Sequence, residues 1–427
     1  MPRLLFHGPL ALIVTASVVA VAGQSRYTYV VLRQGFSQFA DLSQTGCVSH
    51  DGRFVAFASG ERLLPADSNQ LQDIYVYDRE RETLTLETPA FDGASSDGGS
   101  GSPALSGNGR YLVFDSDATN LTRWPDDNGG QDVFLRDRVG GSTRRISVSA
   151  VGHEARGASR NPSISGDGRI AAYVSNATNL IEGADADSPH SAVYLVQLNT
   201  GEVNRAASAG LAYGPRLSDD GRSLTFTTCT AVAPLAQGSP GGSVCGVFVR
   251  DIATGVTNCV SCSSVERAAE PHLSGDGRLV VFTRLSSDAP GSRRTDVVLY
   301  DRTSLVTSVI TRRANANSGR PRISGDGRFI VFQSQASNLE CEPCRSSVAD
   351  RNLLSDIYLF DRETETFRRV SGPESWWVPS VSPWIDGRGR VVVFSSSQPL
   401  GPGDSTTDFD LFVWSVDQAA PAARVPK

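Results

Sequence analysis

One phrase recurs seven times along this chain, and its period leaves few architectures open. Pro321-Arg-Ile-Ser-Gly-Asp-Gly-Arg-Phe-Ile-Val-Phe-Gln-Ser334 reads as strand, tight turn, strand. Pro321 opens the first strand, Gly325-Asp326-Gly327 supplies the turn, and Phe329 to Phe332 is a β-branched and aromatic run. The other copies are Cys47-Val-Ser-His-Asp-Gly-Arg53, Pro103-Ala-Leu-Ser-Gly-Asn-Gly-Arg110, Pro162-Ser-Ile-Ser-Gly-Asp-Gly-Arg169, Pro215-Arg-Leu-Ser-Asp-Asp-Gly-Arg222 and Pro271-His-Leu-Ser-Gly-Asp-Gly-Arg278. A stretched form, Pro379-Ser-Val-Ser-Pro-Trp-Ile-Asp-Gly-Arg-Gly-Arg390, is the last. The turn glycines 52, 109, 168, 221, 277, 327 and 389 are spaced by 57, 59, 53, 56, 50 and 62 residues. A β-rich period of this size means a propeller or an array, because one unit alone leaves two apolar sheet faces uncovered.

Each repeat continues into a third strand, such as Asp73-Ile-Tyr-Val-Tyr-Asp-Arg79 or Asp356-Ile-Tyr-Leu-Phe-Asp-Arg362, and then a more polar fourth, such as Thr366-Phe-Arg-Arg-Val-Ser371. Four antiparallel strands make one propeller blade. The seventh repeat stops after its third strand, Asp410-Leu-Phe-Val-Trp-Ser415, while a surplus strand, 27–33, precedes the first repeat. Threading that strand into the last blade closes the ring and removes a sheet edge. The expectation is an all-β, seven-bladed β-propeller of four-stranded antiparallel blades, the last closed by an N-terminal strand. It spans 23–417, with repeats near 46–90, 103–150, 162–208, 215–262, 271–312, 321–371 and 379–417, and leaves 418–427 as a disordered tail.

Arg3 and the apolar run from Leu10 to Ala22 read as a signal peptide, 1–22, ending in the small residues Ala20-Val-Ala22. The run is shorter than the ~20 residues a membrane span needs, and no later stretch is long enough, so the mature chain is expected to be periplasmic or secreted, with no membrane span. A formal charge of −6, with Lys427 the single lysine and no basic run, argues against nucleic acid. Cys259 with Cys262, Cys341 with Cys344, and Cys229 with Cys245 read as three local disulfides in an exported protein, leaving Cys47 free. The rival readings are free thiols and a four-thiolate zinc site, the latter handicapped because the two C-x-x-C pairs fall in different repeats.

The pattern P-x-[IL]-S-x-D-G-R-[FY]-[IV]-x-F-x-S with D-[IV]-[YF]-[VL]-x-D-R resembles the TolB-like (WD-like) family of bacterial β-propeller repeats. Ala118-Thr-Asn-Leu121, echoed at Ala177-Thr-Asn-Leu180 and Ala336-Ser-Asn-Leu339, resembles that family too. The resemblance covers about nine-tenths of the chain. It implies the propeller, and it implies binding scaffolds, enzymes and peptidase gating domains alike. Seven-bladed relatives that cleave acidic sugars use a histidine-lined metal site in the channel. Of His50, His153, His190 and His272, only His272 falls there.

A residue needed once for chemistry does not recur in every unit, so Asp167, Asp220, Asp276 and Asp326 read as turn residues. The loops carrying Asp67 and Asn69, Asp126 and Asn128, Asp185 and Asp187, and Asp404 and Asp408 offer oxygen ligands that suit Ca²⁺. None has EF-hand spacing, and no cofactor is expected. The informative positions are those that differ between repeats. The residue after the repeat proline, which should line the channel, is Ala104, Ser163, Arg216, His272, Arg322 or Ser380. Just upstream, at the channel mouth, lie Arg160, Tyr213, Glu270, Arg320, Trp376 and Trp377. Arginine forks grip carboxylate or phosphate, and exposed tryptophan stacks on sugars or anchors a peptide. Arg216, Glu270, His272, Arg320, Arg322, Trp376 and Trp377 are therefore the candidate ligand-binding set, with no catalytic or metal residue assigned. No G-x-S-x-G or H-E-x-x-H occurs. The expected function is non-enzymatic binding of an envelope or extracellular protein, or an anionic small ligand, at one face of the ring. The alternative is a carbohydrate-active lyase or hydrolase at the mouth of blades four to six.

Overall fold

The computed structural model describes residues 17–19, 27–36, 46–124, 126–182, 191–207, 211–232, 242–261, 267–289, 292–339, 354–371, 378–397 and 409–416. They form a seven-bladed propeller of antiparallel, four-stranded blades. Blade one is Gly46–Val48, Phe54–Ser59, Asp73–Asp78 and Thr83–Leu86. Blade seven takes Ser380–Ile385, Val391–Ser396 and Phe409–Val416 from the end of the chain and Tyr27–Phe36 from its beginning. Val30 pairs with Val413 and Leu32 with Leu411, antiparallel. The expected closing strand is thus in place, three residues longer than expected. Ser17–Val19, inside the expected signal peptide, pairs on its outer edge as a fifth strand; the rest of 1–22 and the tail 418–427 lie outside the described residues.

The core lies between blades. Val331, Ile357 and Leu359 of blade six pack with Val392, Phe394, Phe412 and Trp414 of blade seven, and Val113, Val133 and Leu135 of blade two with Ala171, Tyr173 and Tyr194 of blade three. Within a blade, the aromatics of the second and third strands stand opposite and stack, as Phe57 on Tyr75 at 5.9 Å and Phe394 on Phe412 at 5.4 Å.

The repeated polar residues bind the blade to itself. In the turn, Ser324 Oγ donates to Asp326 Oδ1 at 2.5 Å and accepts the Phe329 N–H at 2.9 Å, while Asp326 also accepts the Arg328 N–H. Serines 49, 165, 218 and 274 do the same. The arginine that follows forks onto the aspartate ending the third strand: Arg53 on Asp78, Arg110 on Asp137, Arg278 on Asp301 and Arg328 on Asp361. The next arginine reaches back to the turn glycine's carbonyl, Arg79 to Gly52 and Arg302 to Gly277, both at 2.7 Å.

The seven turns meet at one end of the channel. There a closed cycle of backbone hydrogen bonds joins every blade to the next: His50 to Gly107, Gly107 to Gly166, Asp167 to Asp219, Asp220 to Gly275, Gly275 to Gly325, Asp326 to Gly387 and Gly387 to His50. At the opposite, entry end, each first strand from blade two onward bulges just before the repeat proline. The bulge holds Ser102, Asn161, Glu270, Arg320 and Ser382 at φ between 49° and 57°, and Gly214 at 62°.

Candidate functional site

Five residues before each turn glycine, the first strand presents one position to the channel. Around the ring these positions are Cys47, Ala104, Ser163, Arg216, His272, Arg322 and Trp384. The last corrects the expectation of Ser380. Trp384 pairs with Val393 as Arg322 does with Val331, so Pro383, not Pro379, is the repeat proline of blade seven. Ser380 instead donates to Ser396 Oγ inside the blade, matching Ser100 on Ser116. Counting five back from Gly389 and Gly52 is the sequence signal that finds Trp384 and Cys47.

The ring is lopsided. Blades one to three contribute the small residues Cys47, Ala104 and Ser163, and blades four to seven the large donors Arg216, His272, Arg322 and Trp384. A cavity of about 90 Å³ lies in the channel, lined by Cys47, Ser163, Arg216, His272 and Trp384 among others. The Arg216 and Arg322 guanidiniums stand 5.4 and 4.6 Å from the centre of the Trp384 ring, and His272 meets its edge at 5.8 Å. Both arginines are buried, at 8% and 7% exposure. Each donates Nη1 to a single backbone carbonyl, of Pro215 and Pro321 respectively. Among the described residues, neither has a carboxylate in ion-pair contact.

Burial pushes Arg216 down to about 10; burial, and then the Arg216 charge, push Arg322 down to about 9. Both stay protonated at neutral pH. His272 is pushed well below its ordinary value by burial and then by the two arginines, so it is neutral. Its Nδ1 faces the Ile323 N–H at 3.4 Å. Burial raises the free Cys47 thiol to about 12.

At the entry end Glu270 and Arg320, both at bulge positions, are partners. Glu270 Oε2 accepts the Arg320 N–H at 2.9 Å and the Thr283 hydroxyl at 2.7 Å, and Oε1 lies 3.8 Å from Arg320 Nε. Arg320 Nη1 reaches Ser382 Oγ at 2.7 Å. The structure therefore brings Arg216, His272 and Arg322 together and sets Glu270 and Arg320 above them. Arg160 and Tyr213 are exposed on the rim. Trp376 and Trp377 lie outside the described residues. At the turn end, unforeseen in the sequence, His50 Nδ1 and Asp219 Oδ2 meet at 2.9 Å.

Cys229 and Cys245 form the expected disulfide. Cys259 is also disulfide-bonded, while Cys262, Cys341 and Cys344 lie outside the described residues. Of the acidic loops, the Asp67 carboxylate takes the Tyr75 hydroxyl at 2.5 Å and caps its own turn at Asn69. Asp126 comes together with Asp132 and Glu154. Arg145 already supplies a cation there, 3.1 Å from Asp132 and paired with Glu154. Asp185, Asp187, Asp404 and Asp408 are not among the described residues.

No family model matches the chain, and no curated protein matches it. Solved structures do. An oligogalacturonate lyase in complex with manganese aligns at a TM-score of 0.55 and 13% identity over 95% of this chain and 96% of that one. The β-propeller domain of the Trilobed protease from Pyrococcus furiosus aligns at 0.56 and 12% over 90% and 94%. TolB from Acinetobacter baumannii aligns at 0.39 and 16% over 86% and 81%. At these identities the likeness is one of fold. The seven ring residues do not fit a divalent metal. His272 has its Nδ1 occupied and is flanked by two guanidiniums, and no carboxylate stands in the ring.

Proposed function

We propose that this chain is an exported, non-enzymatic propeller scaffold that captures an anionic group, borne by a partner protein or a small ligand, from the entry end of its channel. The observation that carries this reading is the pair of buried guanidiniums, Arg216 and Arg322, with no carboxylate in ion-pair contact with either among the described residues. Burying two like charges together is expensive, and an incoming anion relieves both the desolvation and the repulsion. Export rests on the apolar N-terminal run and on the Cys229–Cys245 disulfide, which suits an oxidising compartment. No helix among the described residues is long and apolar enough to cross a membrane.

Turnover is disfavoured by the same residues. General acid–base work needs a base with a free lone pair, and the Nδ1 lone pair of His272 is engaged by Ile323. The test is a thermal-shift screen of the purified mature protein against acidic peptides, acidic oligosaccharides and divalent metals, with Arg216→Ala and Arg322→Ala alongside. Stabilisation of wild type by an anion, lost in both variants, is the expected result. Equal stabilisation of the variants, or a response to metals alone, sinks the reading.

A further inference from the structure

The channel is selective for more than charge. At the ring position, blades four to seven offer hydrogen-bond donors and no acceptor facing the channel; Asp219, the carboxylate that also lines the cavity, has its Oδ2 against His50 at the turn end. Arg216 and Arg322 carry only N–H groups, and Trp384 presents its indole N–H. Arg322 Nε and Trp384 Nε1 are both buried with no protein acceptor, and a buried donor left unmade is costly.

The backbone adds to the excess. Where the ring residue can accept, it takes an N–H from the next blade: Ser163 Oγ from Leu217 at 3.0 Å, and His272 Nδ1 from Ile323. Arg216 and Arg322 have no acceptor to offer the equivalent N–H groups of Leu273 and Ile385. Donors therefore accumulate on one arc, facing the space left by Cys47, Ala104 and Ser163.

We infer that this arc binds a fully ionised oxyanion, one with no O–H of its own, in preference to a protonated one. The inference rests on the anion-capture reading above and sharpens it. Sulfate and carboxylate bring acceptors only. Hydrogen phosphate brings similar size and charge but also one O–H, which the donor arc cannot receive, and a buried donor without an acceptor weakens binding.

The experiment is isothermal titration of the full mature chain with sulfate, hydrogen phosphate and acetate at pH 7.5. Sulfate is expected to bind at least about tenfold more tightly than hydrogen phosphate, and the ratio should widen at pH 6 as phosphate takes a second proton. Phosphate binding as tightly as sulfate overturns the inference while leaving anion capture standing; no heat from any of the three sinks both. Trp384→Phe keeps an aromatic ring against the arginines and removes one donor, and Arg322→Gln removes the Nε donor and a charge. Each should weaken sulfate binding several-fold with the far-ultraviolet spectrum unchanged, and unchanged affinity in both overturns the donor account. Methyl sulfate serves as a last arm. Tight binding assigns the oxyanion to a larger ligand and exclusion assigns the free ion, and either result upholds the site.

Discussion

His50 of the first blade and Asp219 of the fourth meet across the turn end of the channel, Nδ1 to Oδ2 at 2.9 Å. They can do so because the neighbouring blades present glycine at the same turn position. A Cβ on Gly325 would fall 2.7 Å from His50 Cε1 and 2.9 Å from Asp219 Oδ2, and one on Gly387 would strike the imidazole itself. The pair bridges blades that share no edge, above the cycle of backbone hydrogen bonds.

The bridge makes a pH-dependent contribution. The hydrogen bond to Asp219 raises the His50 pKa above its ordinary 6.5. Its stabilisation is therefore fully present below about 6.5 and lost as pH rises through the raised value. Both side chains are 43% exposed, so the effect is small, below about 1 kcal/mol. Thermal melts of Asp219→Asn should show a deficit at pH 5.5 that shrinks by pH 8.5. A deficit independent of pH would contradict the assignment.

Asp115 runs the other way. Burial pushes its carboxyl up to about 6, although it accepts the Asn161 N–H at 2.8 Å. A folded pKa above the unfolded one costs stability as pH rises from about 4 to 6, and the cost is constant above that. Asp115→Asn keeps an acceptor for Asn161 and should stabilise the protein by about 1–3 kcal/mol at pH 7. At pH 4 it should change little. Urea unfolding at the two pH values decides it.

The lacing between turn and third strand predicts acid sensitivity. The arginine forks hold Asp78 and Asp137 at about 2 and lower Asp301 and Asp361 as well. Stability from depressed carboxyls is present above about 4 and lost as pH falls through the folded values. Circular dichroism against pH should show unfolding below about 4, and Arg53→Met should unfold at a higher pH than wild type. A coincident acid transition would mean that the fork on Asp78 contributes nothing.

Closure of the ring depends on the N-terminal strand. Replacing Val30 and Val31 together by proline must remove at least one hydrogen bond to the 411–414 segment, whichever of the two faces it. We expect a loss of about 3 kcal/mol or more and a species that elutes as aggregate, because blade seven then shows an open edge. A monomer that melts like wild type would mean that the ring closes without the strand.

The fold was legible because the turn phrase carries its own mechanism. Ser324, Asp326, Gly327 and Arg328 each make a bond that the blade needs, so each recurs, and the missing fourth strand of the last repeat pointed to the surplus strand at the start. The site was legible only where the repeat stayed regular. Arg216, His272 and Arg322 follow a proline at the standard interval, and the structure gathers the three around Trp384. Trp384 is hidden in the sequence because two prolines, Pro379 and Pro383, compete for the repeat position of blade seven. The bridge between His50 and Asp219 left no trace in either repeat alone, since it depends on two departures from glycine 169 residues apart.

The central claim is that Arg216 and Arg322 hold an anion together. Crystals of the protein grown with selenate would test it most directly, because the selenium position is read from its anomalous signal. The account predicts a peak within hydrogen-bonding reach of both guanidiniums, beside Trp384 and over Cys47, Ala104 and Ser163. An empty ring, with selenate bound only to surface arginines such as Arg160, would contradict it.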